Sequence, residues 1–415
     1  LVACKTVCLA SEHYPFRVIL RASGHAISSS GAGSEPAKNG AERPLSSNSR
    51  RAAWGRPNAI GNLASKSGGN ISEAVVRALE FFARKQHQDG YWKETQSPIA
   101  HTGMVVLSYL SYGVTHKSIM HKGTEPYMEN VERALDWLVG QVSPDGALRD
   151  GGRMDDQAAG VYALAEAYMA TKDERLKEPL QKAAKWLVDS QHEAGGWRYN
   201  RNMRGDLSVS GWVISALVSA SNAGVDVPDE VFKKAGAFVL AQHSSDGKYG
   251  YQGKGFTLTM SSVGMFCLQL LGKEIMGPIV GGAGFNGEGG GGQENNNALY
   301  KELIGKSSVT LLHYLPGDTL NKGTSRPFYY WYYGTFAMRI LGGEPWEKWK
   351  SSMHNTLLPM QVKDGSGNDG SWNPKQTSTG RIVTTAWVVL TMMAPDRPSL
   401  GPGGQIYVRP RGEMP

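Results

Sequence analysis

The chain has little cysteine, no long apolar run and no charge imbalance within its body, and each shortage removes a class of protein. Three cysteines stand among 415 residues, at Cys4, Cys8 and Cys267. The first two lie near the start and the third is alone in an apolar stretch, so neither a disulfide framework nor a zinc signature is present. Cys267 reads as a small buried hydrophobe. No stretch approaches the roughly 18–20 apolar residues of a membrane-spanning helix. The formal net charge is +7, but it sits at the ends. Residues 1–70 hold nine Lys/Arg against three Glu, and residues 395–415 hold three Arg against Asp396 and Glu413. The body between them is near neutral, which argues against a nucleic-acid face. Residues 2–10 are too short and too broken for a secretory core, and the compartment is left open.

What is present is a repeat. Five times a helical stretch ends in Gln and runs into an Asp/Gly or Gly/Gly turn, usually closed by an aromatic residue. The copies begin at Gln86, Gln141, Gln191, Gln242 and Gln361, and Trp92, Trp197, Tyr249 and Trp372 close four of them. Successive glutamines are 55, 50, 51 and 119 residues apart. A period near fifty signals one supersecondary unit per copy, and the doubled last gap marks a decayed or interrupted copy.

Each copy expands into a pair of helices. The stretches before the glutamines, residues 74–86, 131–141, 180–191, 231–242 and 346–361, carry apolar residues at three and four spacing on one face only. After each turn comes a second helix, apolar nearly all round and rich in small residues. These span 101–112, 156–170, 208–223, 259–271, 328–341 and 383–393. The sixth amphipathic partner is residues 298–314, and the glycine-rich segment 281–292 before it is a flexible insertion. A helix apolar on all sides must be buried, whereas an amphipathic one faces solvent. Six of each, alternating, predict an all-α, (α/α)6 toroid over residues 71–394, with six inner and six outer helices. Ring closure removes the need for polar terminal caps. Residues 1–70 read as a disordered tail, and 395–415 as a Pro/Gly-rich tail.

The Gln-x-x-x-Gly-x-Trp turn resembles the QW repeat of squalene cyclases, and the same toroid occurs in prenyltransferase β subunits. Residues 205–212 and 328–338 look closer still to single-toroid prenyltransferase/squalene-oxidase repeat proteins of planctomycete-type bacteria. The resemblance implies an isoprenoid or other lipid-like ligand. Two departures qualify it. Squalene-type cyclases protonate an alkene with an Asp-x-Asp-Asp motif, whereas the nearest stretch here is Arg153-Met154-Asp155-Asp156. Prenyltransferase β subunits need an Asp, Cys and His zinc set, and the comparable late inner helix, opening Phe328-Tyr329-Tyr330-Trp331-Tyr332-Tyr333, offers neither His nor Cys. No metal or other cofactor is expected.

Candidate site residues gather where the inner helices begin. Six helix N-termini aimed at one mouth focus positive partial charge, and Arg153, Arg204, Lys254, Arg326 and Arg381 stand just upstream of five of them. That arrangement suits an anionic ligand; surface lysines and arginines also serve solubility alone. Asp155, Asp156 and Asp206 share the mouth as candidate acids, with helix capping as the alternative. Arg153 and Arg204 should lower the pKa of these acids. Glu166, three turns beyond Asp155, is expected to be buried against a basic side chain. Tyr329 and Tyr333 share a helix face, and with Trp212 and Trp387 they either line the cavity or pack the core. His101 is the one histidine in reach of the mouth, because His87, His192 and His243 recur at equivalent turn positions. The expected partner is a small hydrophobic or anionic ligand. Alternative readings are a non-catalytic binding scaffold and a carbohydrate-active (α/α)6 hydrolase or lyase. Oligomeric state is not legible.

Overall fold

A computed structural model describes residues 69–94, 97–149, 152–244, 246–282, 293–320, 323–374 and 380–395. The expected tails and the insertion lie outside the described residues, apart from Gly69, Asn70, Gly281, Gly282 and Pro395. The described residues form twelve α-helices and no strands.

Six helices are amphipathic and lie outside: α1 (Gly69–Lys85), α3 (Pro126–Gln141), α5 (Lys177–Asp189), α7 (Asp229–Ala241), α9 (Gln293–His313) and α11 (Gly343–Leu357). Between them come the inner helices α2 (Pro98–Ser111), α4 (Met154–Thr171), α6 (Leu207–Asn222), α8 (Leu258–Gly282), α10 (Pro327–Leu341) and α12 (Gly380–Met393). In α4 and α6 nearly every residue is buried, down to Ser210 and Ser215. Each inner helix packs on the next, and α12 packs on α2, so the inner ring closes. The predicted alternation and all twelve helices are thus present. Several helices start three to five residues earlier than expected, and α8 breaks at Gly272 (φ +74°, ψ 168°), directly after the expected end at Leu271, with a second helical segment continuing to Gly282.

The repeated turns are clamps between neighbours. Gln86 donates through Nε2 to Gly90 O (2.7 Å) in its own turn and to Asn130 O (2.8 Å) on α3. Gln191 does the same to Gly195 O and to Val231 O on α7, both at 2.9 Å. Gln361, in the last turn, reaches Gly370 O (2.9 Å) and Ala74 O (2.7 Å) on α1. That contact closes the outer ring. In the second turn the task passes to Gln157 of α4, whose amide donates to Gly146 O (2.8 Å) and Ala183 O (3.1 Å). Gln242 departs, turning back to Phe238 O at 2.9 Å.

The aromatic residue locks each turn to its own helix pair. The indole N–H of Trp92, Trp197 and Trp372 donates to Phe82 O, Leu187 O and Leu357 O at 2.7–2.8 Å. The backbone N–H of the same residues donates to Thr102, Ser210 and Thr385 hydroxyls on the following inner helix. All three tryptophans are buried. Each therefore satisfies both its own donor and a helix-end carbonyl without water.

Gly370 shows why the turn needs glycine. Its φ is +86°, and a Cβ there would lie 2.1 Å from Arg77 O on α1. Gly365 in the same turn has φ +69° with nothing within 4 Å. Both Gly→Ala changes incur roughly 1 kcal/mol for the left-handed backbone. Gly370→Ala must also push α1 away, adding about 1–3 kcal/mol. Chemical denaturation of the two variants should rank Gly370→Ala well below Gly365→Ala; equal midpoints would contradict a backbone-to-backbone ring closure.

Candidate functional site

Because the helices alternate in direction, all six inner helices start on one face of the ring. The loops leading into them form its mouth. Asp206 is the N-cap of α6: its carboxylate accepts from Val209 N–H at 2.9 Å, and it is fully buried. Burial raises its pKa against the opposing pull of Val209, Tyr251 and Arg198, whose Nε is 3.6 Å away. Capping is thus its visible role.

Asp155 and Asp156 do not cap. The N-cap of α4 is Arg153, without a side-chain cap bond. Arg153 grips Asp155 through two N–H···O bonds of 3.0 and 2.8 Å and lies 4.0 Å from the Tyr199 ring centroid. Consecutive helical residues point about 100° apart, so Asp156 is buried beside Ser97 while Asp155 stays with the arginine. Asp156 is 4% exposed, and its Oδ2 has no hydrogen-bond partner. Burial, and then the charge of Asp155, push its pKa up to about 7, against the Ser97 hydroxyl and Arg153. Arg153 does pull the Asp156 pKa down, but burial and Asp155 outweigh it, so the expected net lowering fails for Asp156, and it fails for Asp206 as well. Arg153 is committed to Asp155, and Arg204 is exposed to solvent.

The other mouth residues divide by burial. His101 is buried on the first turn of α2; its Nδ1 meets the Ser97 carbonyl, and burial lowers its pKa. Arg381 turns away to Ser371 Oγ (3.1 Å). Arg204, Lys254 and Arg326 are exposed. Glu166 lies deeper, is buried as expected, and accepts from Ser219 Oγ at 2.6 Å. His87 and His192 serve their turns: Nδ1 of each accepts a backbone N–H two residues on.

The aromatic side chains meet across the ring. Trp212 on α6 lies 6.1, 5.5 and 5.5 Å from Tyr329, Tyr332 and Tyr333 on α10, and 6.5 Å from Trp387 on α12. Helices α6 and α12 stand opposite one another, so these rings span the axis. Tyr329 ties the layer to the mouth through its hydroxyl, 3.0 Å from Ser208 Oγ on α6. Burial, Asp155 and Asp206 all raise the pKa of that phenol. Trp212 lies five residues into α6, so the layer sits about 8 Å below the helix start. Tyr332 was not foreseen in this layer; its place one turn before Phe336 was the available sign. Tyr199 and Tyr251 were also missed. Their hydroxyls are 3.0 Å apart, and their carbonyls accept from Met154 and Leu207 N–H, the first residues of α4 and α6. Each stands two residues past a turn aromatic, a spacing visible in the sequence.

Among the described residues no cluster of His, Cys, Asp and Glu can hold a metal, and no helix is long and apolar enough to cross a membrane. Cys267 is buried and free.

No family model and no curated protein sequence matches the chain. Solved structures do. An Asp-to-Ala variant of the type II terpene cyclase MstE from Scytonema, in complex with merosterolic acid A, is 15% identical with a TM-score of 0.51, covering 79% of this chain and 97% of that one. An Asp-to-Asn variant of the same cyclase, with geranylgeranyl dihydroxybenzoate, is 14% identical at a TM-score of 0.50 and the same coverages. An inactive variant of the α-1,6-mannanase of a Salegentibacter species, with α-1,6-mannotriose, is 11% identical at 0.53, covering 78% and 98%. The fold is an α/α toroid shared by both kinds of protein.

A folded pKa of about 7 against an ordinary 3.8 means that folded Asp156 holds its proton where the unfolded chain has lost it. Its stabilising contribution is complete below pH 4 and disappears as pH rises to about 7. Asp206 shifts in the same direction. Asp156→Asn, which stays neutral, should gain on the wild type across that window by up to roughly 4 kcal/mol. Parallel stability–pH curves for the two proteins would contradict the buried acid.

Proposed function

We propose that the mouth of the ring binds a lipid-like ligand of the isoprenoid class, and that Asp156 is its proton donor. The observation that carries this reading is the pairing of a buried, singly unpartnered carboxyl group on α4 with an aromatic layer across the ring axis. A carboxyl group with pKa near 7 holds its proton for a large part of the time at neutral pH and releases it readily. Protonation of an alkene by Asp156 leaves a carboxylate on α4 and a cation on the ligand. The faces of Trp212, Tyr329 and Trp387 are suited to stabilise that cation. The toroid's likeness to a type II terpene cyclase bound to a geranylgeranyl substrate supports the ligand class.

A second reading rests on one specific observation. The inactive mannanase variants replace an adjacent pair of aspartates, with asparagine in one and alanine in the other. Asp155 and Asp156 are such a pair, and aromatic rings also stack on sugars. On this reading Asp156 is a general acid toward a glycosidic oxygen.

Native mass spectrometry of protein purified from its source separates the two. An adduct of isoprenoid mass, extractable by organic solvent, supports the first reading; a bound oligosaccharide overturns it. Trp212→Leu removes the central ring of the layer and should weaken retention of the isoprenoid roughly tenfold. Asp156→Asn should retain ligand and convert none of it.

A further inference from the structure

Four large apolar side chains are exposed among the described residues: Met120, Met203, Phe256 and Val309. Two of them, Met203 and Phe256, lie on the mouth, on the loops leading into the adjacent helices α6 and α8. They are 37% and 47% exposed. Their surroundings are basic. The loop 198–206 carries Arg198, Arg201 and Arg204, the loop 248–257 carries Lys248 and Lys254, and residues 323–326 before α10 end in Arg326. The sole acidic residue in these three loops is Asp206, which is fully buried. Arg204, Lys254 and Arg326 are exposed and hold no ion pair with any described residue. Within the sector Lys248 pairs with Asp246 and Arg198 with Asp206, and before α4 Arg153 pairs with Asp155.

We infer that this sector of the mouth, spanning three consecutive helix pairs, docks on the surface of an anionic lipid bilayer. The charges attract the surface, and the apolar tips enter it. Lys248 pairs with Asp246 at 2.6 Å, and its Nζ lies 5.2 Å from the centroid of the Phe256 ring, an arrangement that would keep the ion pair at headgroup level while the ring sinks below it. A soluble polyanion would be attracted by the same cations but would give Met203 and Phe256 nothing to bury against. Met120 and Val309 lie away from the mouth, on the loop after α2 and on the outer helix α9, and neither adjoins another exposed large apolar side chain of its own loop. The surface is peripheral, since no described helix is long and apolar enough to cross a bilayer. The inference stands apart from the ligand reading, because it uses neither Asp156 nor the aromatic layer.

Sedimentation with large vesicles tests it, using phosphatidylcholine alone and phosphatidylcholine mixed with phosphatidylglycerol. The full chain should pellet with the mixed vesicles, stay in solution with the neutral ones, and be released by high salt. Removing Arg204, Lys254 or Arg326 should weaken partitioning by roughly fivefold for each cation. The pair Met203→Ser and Phe256→Ser leaves the charge unchanged and should weaken it roughly tenfold. All five side chains are solvent-exposed, so thermal melts of the variants should match the wild type and exclude misfolding as the cause. Absence of sedimentation, or equal binding to neutral vesicles, would overturn the inference. So would a serine variant that pellets like the wild type while the cation variants do not, which would assign the sector to a soluble polyanion.

Discussion

The ring depends on a side-chain amide that reaches out of its own repeat to a backbone carbonyl in the next. A helix ends with carbonyls that have no intrahelical partner, and a turn adds more. Water would satisfy them at an open surface, but here the following helix pair covers the turn. Gln86, Gln191 and Gln361 resolve the conflict by bonding the turn and the neighbour at once. Because Gln361 lands on α1, the same local device that joins pair to pair also joins the end to the beginning. The substitution of Gln157 for Gln141 in the second turn shows that the carbonyls must be satisfied, whichever helix supplies the amide.

Closure determines what the inner helices are made of. A helix surrounded by two inner neighbours, an outer partner and the ring axis has no face left for solvent, and so α4 and α6 are built of Ala, Gly, Ser and Val with few long polar chains. Polar groups survive on them only where something pairs with them or where function demands otherwise. Thr102, Ser210 and Thr385 accept from the turn residues, and Ser219 donates to Glu166. Asp156 and Asp206 each keep one buried oxygen with no hydrogen-bond partner. A buried carboxylate left half-satisfied is expensive, and the raised pKa is how the fold lessens that cost.

Most of the architecture was legible because the clamp and the burial pattern are both local. The Gln-to-Trp turns are read directly as residues, and the contrast between amphipathic and wholly apolar helices separates outer from inner. At α8 the stop at Gly272 after Leu271 is where the helix breaks, but the second helical segment beyond it, to Gly282, was not legible. The site was less legible. Adjacency placed Arg153 near both Asp155 and Asp156, and nothing in the sequence says which carboxylate the guanidinium takes. The roughly 100° step between helical neighbours decides it. Likewise the run 329–333 announces aromatic rings, but only the opposing positions of α6, α10 and α12 show that Tyr329, Tyr332 and Tyr333 converge on Trp212.

The scaffold repeats around its axis, but its chemistry does not. Repetition by itself would present equivalent mouth residues from all six pairs, and a ligand would meet no preferred side. Two departures from equivalence give the mouth direction. At the start of α4 an arginine and an aspartate neutralise each other and leave a second aspartate buried with one oxygen unpartnered. Across the next three loops Arg204, Lys254 and Arg326 stand exposed beside two apolar tips, while Arg198 and Lys248 keep acidic partners. The proposed proton donor and the proposed docking surface therefore fall on neighbouring sectors of one rim. The clamps make that division possible, because a ring held by its turns leaves the loops beyond them free to differ.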